Sequence, residues 1–268
     1  MQVSDFLSQN SVFTSEQFRE FQSRHGSGNP STRKSLLAHY ERRHRIARVR
    51  RGVYAVIPPG STPENAPVDP YLVASRLAPD AVLAYHTALS FHGRAYSVSQ
   101  RFEFLTATAA RPLRFRSWQF RPVSFPRALR RTKKETFGVL EAERAGLPVR
   151  VTTLERTLVD VLDRPDLGGG WEEIWRSLEA VEFFNLDEVI EYATILDNAT
   201  TAAKVGFFLE QHRDSLMVEE DHLVRLTALR PKEPHYLERA AKTEQKLVAK
   251  WNLVVPTTLI ERAWEQVL

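Results

Sequence analysis

The sequence predicts an α+β fold in two parts, and three observations predict it. Helix-start signals and a glycine-rich turn crowd the first 45 residues, a β-branched run with an Arg-Gly turn follows, and a proline-rich break then separates this beginning from a longer remainder. The 268 residues are 43% hydrophobic, enough to bury a sizeable core.

Val3 to Leu7 suggests a short first helix, and Thr14-Ser15-Glu16-Gln17 is a capping box ahead of Phe18 and Phe21, so a second helix starts near Ser15. Gly26-Ser27-Gly28-Asn29-Pro30 reads as a turn, after which Ser31 can cap a third helix to about His44. From Ile46 to Val56 the pattern changes to a hairpin around Arg50-Arg51-Gly52. Three helices and a hairpin are the outline of a winged helix-turn-helix, expected over 1–57.

Pro58-Pro59-Gly60-Ser61-Thr62-Pro63, continuing to Pro67, reads as a linker, because proline removes backbone donors and fixes φ. A second, larger α+β domain is expected over 68–268. Asp69-Pro70 opens a helix to Leu77, and another ends at Gly93. Strands are expected over Arg101 to Thr106, Leu113 to Val123, Thr136 to Leu140 and Leu147 to Val151, forming a small, mainly antiparallel sheet. Thr152-Thr153-Leu154-Glu155 caps the next helix. The C-terminal part is expected to be helical, near Trp171 to Phe183, Asp187 to Leu196, Thr200 to Arg213, Glu219 to Leu229 and Tyr236 to Trp251.

The net charge of +4 conceals an asymmetry. Residues 1–134 hold 22 Lys+Arg against 8 Asp+Glu, whereas 135–268 hold 15 against 25. Such polarity suits a protein that meets a polyanion with one region and something else with the other. With no cysteine, disulfides, thiolate nucleophiles and sulfur-ligated zinc are excluded. No run of eighteen apolar residues occurs, and Met1 to Gln9 lacks a secretory pattern, so no membrane partner and a cytoplasmic location are expected.

On the third helix, Leu36, Leu37 and Tyr40 share the packing face, leaving Lys34, Ser35, Ala38 and Arg42 outward. Small and basic residues together suit a major groove: Ala38 and Ser35 permit close approach, and Lys34 and Arg42 reach base acceptors or phosphates. Ser31 and Thr32 would offer backbone N–H groups to a phosphate. Arg48, Arg50 and Arg51 at the hairpin would meet a minor groove or backbone. A second basic stretch, Arg101 to Lys134, carries ten Lys+Arg against Glu103 alone, interleaved with aromatics. It is consistent with an auxiliary DNA contact, an acidic or RNA-containing partner, or a solvated strand.

Four stretches carry a family resemblance: Ile46 to Val56 (IARVRRGVYAV), Ala78 to Gly93 (APDAVLAYHTALSFHG), Leu147 to Leu162 (LPVRVTTLERTLVDVL) and Trp251 to Pro256 (WNLVVP). With them the sequence resembles the AbiEi family, abortive-infection antitoxins of type IV toxin–antitoxin systems that double as transcriptional autorepressors. The resemblance implies double-stranded DNA as partner, through inverted repeats in the protein's own promoter, with Lys34, Ser35, Arg42, Arg50 and Arg51 in contact. It also implies a C-terminal domain that counteracts a nucleotidyltransferase toxin, directly or only functionally. Family members also occur alone, so a solitary regulator is the alternative.

Enzymatic signals are weak, and neither catalysis nor a cofactor is expected. His86 and His92, six residues apart on a helix, point about 120° from each other, unlike an i, i+4 zinc pair. Gly168-Gly169-Gly170 lacks the Lys-Ser/Thr of a phosphate loop. Glu244-Gln245-Lys246 resembles a metal-dependent nuclease motif, but Leu247 and Trp251, four apart, argue for a helix there instead of the strand a nuclease needs.

Overall fold

The computed structural model describes residues 2–25, 29–238 and 244–261. Its first elements are α1 (Val3–Gln9), β1 (Val12–Thr14), α2 (Ser15–His25), α3 (Pro30–Arg42), β2 (Ile46–Arg50) and β3 (Val53–Val56). The expected capping box starts α2: the Thr14 N–H donates to Gln17 Oε1 at 2.8 Å and the Gln17 N–H to Thr14 Oγ1 at 3.1 Å. Strand β1, which sequence periodicity did not reveal, pairs antiparallel with β3 in a sheet of order β1-β3-β2. Phe6, Phe13, Phe18, Phe21, Leu37, Ile46 and Tyr54 form the core, with ring centroids 5.2 Å apart for Phe6 and Phe13 and 5.4 Å for Phe6 and Phe18. Of the expected glycine-rich turn, residues 26–28 lie outside the described residues.

The chain continues through α4 (Pro70–Arg76), β4 (Val82–Leu83), α5 (His86–Phe91), β5 (Arg101–Thr106), β6 (Leu113–Phe115), β7 (Trp118–Ser124), α6 (Arg127–Thr132), β8 (Val139–Arg144) and β9 (Leu147–Thr152). Asp69 caps α4, its carboxylate accepting from the N–H groups of Tyr71 and Leu72, with Pro70 in the first helical position. The sheet has the order β6-β7-β5-β4-β9-β8, with β4–β5 and β6–β7 antiparallel. The strand expected over Leu113 to Val123 is a hairpin, broken at Arg116, whose φ of 55° makes the turn. The strand expected from Thr136 begins at Val139, because the Phe137 and Val139 N–H groups turn back to Lys134 and Thr136.

The helical part comprises α7 (Leu154–Asp163), α8 (Trp171–Glu179), α9 (Leu186–Leu196), α10 (Ala199–Gln211) and α11 (Glu220–Leu229). Thr153 caps α7 as expected. Arg156 on α7 is fully buried; it donates to Asp160 at 3.2 Å and to the carbonyls of Glu135 and Phe137 at 2.8 and 2.6 Å, while the Tyr192 hydroxyl donates to Asp160 at 2.6 Å. A buried guanidinium without such partners would be costly, so this cluster fixes α7 against α9 and the 135–138 turn.

Beyond α11 the expected helix Tyr236 to Trp251 is corrected where it is described; its residues 239–243 lie outside the described residues. The chain forms β10 (His235–Tyr236), β11 (Gln245–Val248) and β12 (Leu253–Pro256), followed by α12 (Thr257–Ile260); β12 lies between β10, parallel to it, and β11, antiparallel. The four-residue spacing misled because only one partner is buried: Trp251 is 0% exposed and Leu247 54%. Trp251 lies on Gly206 of α10, where an added Cβ would come within 2.1 Å of its ring, and its Nε1–H donates to Glu210 at 2.6 Å.

The chain divides into two compact units. One comprises the residues up to Leu83 together with 100–123 and 141–150; the other comprises 84–99, 124–140 and 151–268. The boundary expected at 58–68 falls inside the first unit. There α4 packs on β1 and β3, and its Leu72, Val73 and Ala74 are fully buried. The first unit holds 18 Lys+Arg against 10 Asp+Glu, the second 19 against 23, so the polarity seen in sequence is a net +8 against −4. Among the described residues no helix is long and apolar enough to cross a membrane.

Within the first unit Asp80 accepts from Thr106 Oγ1 at 2.5 Å, the Ala107 N–H at 2.6 Å and Thr108 Oγ1 at 3.3 Å. Burial works against the charge, but these donors hold the carboxyl below its ordinary value. A depressed folded pKa contributes stability above the unfolded value, about 3.9, that is lost as pH falls through the folded one. The Tm advantage of the native chain over Asp80→Asn should therefore be constant above about pH 5 and shrink below about pH 4. A difference independent of pH would assign Asp80 a purely steric part.

Candidate nucleic-acid interface

Helix α3 starts on Asn29, not Ser31: the Asn29 side chain accepts from the Ser31 N–H at 2.9 Å and Pro30 takes the first helical position. The N–H that the sequence reading offered to a phosphate at Ser31 is thus already engaged. Leu37 is buried, and Leu36 and Tyr40 pack against the core. Ser31, Thr32, Lys34, Ser35, Ala38 and Arg42 are all exposed. Ser31, Lys34, Ser35, Ala38 and Arg42 form one stripe along the helix, as the 100° spacing requires. The Arg42 Nε–H folds back on the Ala38 carbonyl at 3.3 Å, an exposed contact that a ligand can replace.

The turn from α3 into the hairpin is a Schellman motif: Arg45 N–H donates to the Tyr40 carbonyl at 2.9 Å and His44 N–H to the Glu41 carbonyl at 3.0 Å, with His44 at φ 52°. It terminates α3 and aims β2. Ile57 N–H returns to the Arg45 carbonyl at 2.9 Å, closing the base of the hairpin. At the other end Gly52, at φ 84°, has the glycine-favoured conformation, and its carbonyl accepts from the Ser15 N–H at 2.8 Å.

The three hairpin arginines do not behave alike. A β-bulge between Arg48 and Arg50 inserts Val49, which is buried, so the two arginines lose their common face. Arg48 and Arg51 are exposed. Arg50 is half-buried, and its guanidinium donates to the Leu77 carbonyl at the end of α4. Arg50 thus stands apart from the exposed Arg48 and Arg51: in this conformation it ties the wing to α4. Alternation in the sequence could not reveal this, since a bulge leaves no mark in residue type.

Other cations at this end were not singled out. Arg43, His44 and Arg45 follow α3 and are exposed, and Arg19, Glu20, Ser23, Arg24, Pro30 and Arg33 line a groove between α2 and α3.

The residues weighed for catalysis are placed as follows. His86 Nε2 lies 3.0 Å from Glu173 Oε1, and His92, the C-cap of α5, has Nε2 2.8 Å from the Thr152 carbonyl. Gly168 meets Ile174 and Gly169 meets Glu173 at distances that leave no room for a Cβ, so this loop serves close packing. Glu244-Gln245-Lys246 does run into a strand, β11, which removes the helical objection; Lys246 Nζ is 3.9 Å from Glu261. Among the described residues no group of three or more His, Asp or Glu could hold a metal ion.

The elements α1 to β3 thus form a winged helix-turn-helix within an α+β protein. No family model and no curated protein matches the sequence. The crystal structure of the RV2827C protein from Mycobacterium tuberculosis is similar in fold, with a TM-score of 0.63 and 19% identity, covering 98% of this chain and 93% of that one.

Arg50 and Arg51 should separate on substitution. Arg50→Ala, which removes a charged donor from a buried carbonyl, should lower stability by about 1–2 kcal/mol, and Arg51→Ala should leave it unchanged. Urea denaturation of both variants decides the matter, equal stabilities meaning that the Leu77 contact contributes nothing.

Proposed function

We propose that the chain is a DNA-binding transcriptional autorepressor whose α3 enters the major groove. The observation that carries this reading is the exposed stripe Ser31, Lys34, Ser35, Ala38 and Arg42 on a helix whose opposite face is packed. Small side chains allow the helix axis close to the base edges, and Arg42 has the fork that pairs with guanine acceptors. Arg48 and Arg51 supply phosphate or minor-groove contacts from the wing. The net charge of +8 on the first unit supports the same partner.

The test is binding to the protein's own promoter DNA against salt. About five phosphate contacts give a log–log slope of roughly −4 to −5, and a slope near zero would remove the electrostatic basis of the reading. Arg42→Ala should cost on the order of 1–3 kcal/mol on promoter DNA and much less on random DNA. Arg51→Ala should weaken both alike.

We further propose, on the AbiEi resemblance, that the chain counteracts a nucleotidyltransferase toxin through its second unit. That unit is net acidic and carries exposed apolar side chains, Phe183, Met217, Val224 and Leu247 among them, which suit a protein surface better than DNA. A cut at residue 68 would sever the first unit, so the activities are better separated by substitution. Full-length chain with Arg42→Ala and Arg51→Ala should still rescue growth of cells expressing a nucleotidyltransferase encoded beside it. Loss of rescue by a folded, abundant variant would place neutralisation on the DNA-binding surface, and no rescue by the native chain would leave a solitary regulator.

A further inference from the structure

The β6–β7 hairpin belongs to the same compact unit as the winged helix. Between Leu105 and Val123 it and its flanks contain Arg111, Arg114, Arg116 and Arg121 and no acidic residue. Of the aromatics in this stretch Phe120 faces inward, 1% exposed and packed on Phe102 at 5.6 Å, while Phe115 and Trp118 are half-buried. Arg114 is exposed on β6, the edge strand of the sheet, directly opposite Gln119, while its neighbours Leu113 and Phe115 are half-buried. Arg111 is exposed on the approach to that strand. Neither Arg111 nor Arg114 has an ion pair or side-chain hydrogen bond among the described residues.

Arg116 fixes where this hairpin is. Its two terminal nitrogens donate to the Ala66 and Pro63 carbonyls, each at 2.5 Å, and its guanidinium lies 5.4 Å from the Phe115 ring centre. Pro63 is seven residues beyond Val56, the last residue of the wing strand β3. Seven residues span at most about 25 Å, so Pro63 lies within that distance of Val56, and the turn of the hairpin lies one extended arginine side chain, roughly 7 Å, beyond Pro63. At a rise of about 3.4 Å per base pair, this is a reach of at most roughly nine base pairs from the end of β3.

We infer that the β6–β7 hairpin is a second DNA-backbone contact, in which Arg111 and Arg114 engage phosphates flanking the segment held by α3 and the wing. This rests on the DNA-binding reading above. A charged edge strand also blocks edge-to-edge pairing of sheets, and that simpler role makes no demand on DNA length.

The experiment uses the full-length chain and random-sequence duplexes of about 12 and 36 base pairs, the shorter filled by the winged helix alone, with affinity measured against salt. Arg111→Ala with Arg114→Ala should reduce the log–log slope by about 2 on the long duplex and leave it unchanged on the short one. The Lys pair at the same positions should restore it, since a phosphate contact needs charge alone. Lys232→Ala with Lys246→Ala, the same charge loss in the other unit, should have no effect. Equal slopes for native and Ala chains on the long duplex, or an equal drop from the Lys232/Lys246 control, overturns the inference while the winged-helix reading stands. Failure of the native chain to bind either duplex overturns both.

Discussion

Fewer than 60 residues cannot bury much apolar surface, and this constraint shapes the first unit. The winged helix closes its core with four phenylalanines and Tyr54, in edge and stacked contacts. It then completes its cover by packing α4 across β1 and β3. The same helix supplies the Leu77 carbonyl that holds Arg50. The tie from the wing to α4 through Arg50 and the cover over β1 and β3 both depend on that borrowed helix.

The second unit solves a different problem. Its central helix α7 carries an arginine with no exposed surface, made tolerable by Asp160, two carbonyls and the faces of Tyr192 and Phe125 at 5.2 and 6.0 Å. Burial pushes the Asp160 carboxyl up, against the pull of the adjacent guanidinium. Such a cluster specifies one arrangement of α7, α9 and the 135–138 turn more than it adds stability. Gly138 belongs to the same device, since a Cβ there would approach Arg156 to 2.8 Å.

Local chemistry was legible in the sequence, and non-local pairing was not. The capping box at Thr14, the Asp69-Pro70 start, the Thr153 cap and the packed face of α3 follow from contacts within one or two turns, which residue type encodes directly. The exposed stripe from Ser31 to Arg42 was legible for the same reason. Strand β1, three residues long, has no periodicity to read and exists because β3 offers an edge. The pairing of β10 with β12 likewise depends on a partner distant in sequence. The proline-rich segment reads as a linker because prolines exclude regular structure; they do not exclude packing, and Ala66 within it is buried. The resemblance that guided the functional reading lies partly in such buried positions, Arg156 and Asp160 included, which bear on folding before they bear on activity.

The first unit is assembled from three separate stretches of chain, the last ending at Arg150. During translation the winged helix leaves the ribosome before the rest of its unit, which stays incomplete until residue 150 has emerged. In the interval Leu72 and Val73, fully buried in the finished fold, and the apolar side chains Phe102, Phe104 and Leu105 of β5 await their partners. A nascent chain paused or cleaved in this window would present a basic, half-formed module with an uncovered apolar face, a natural client for chaperones and proteases.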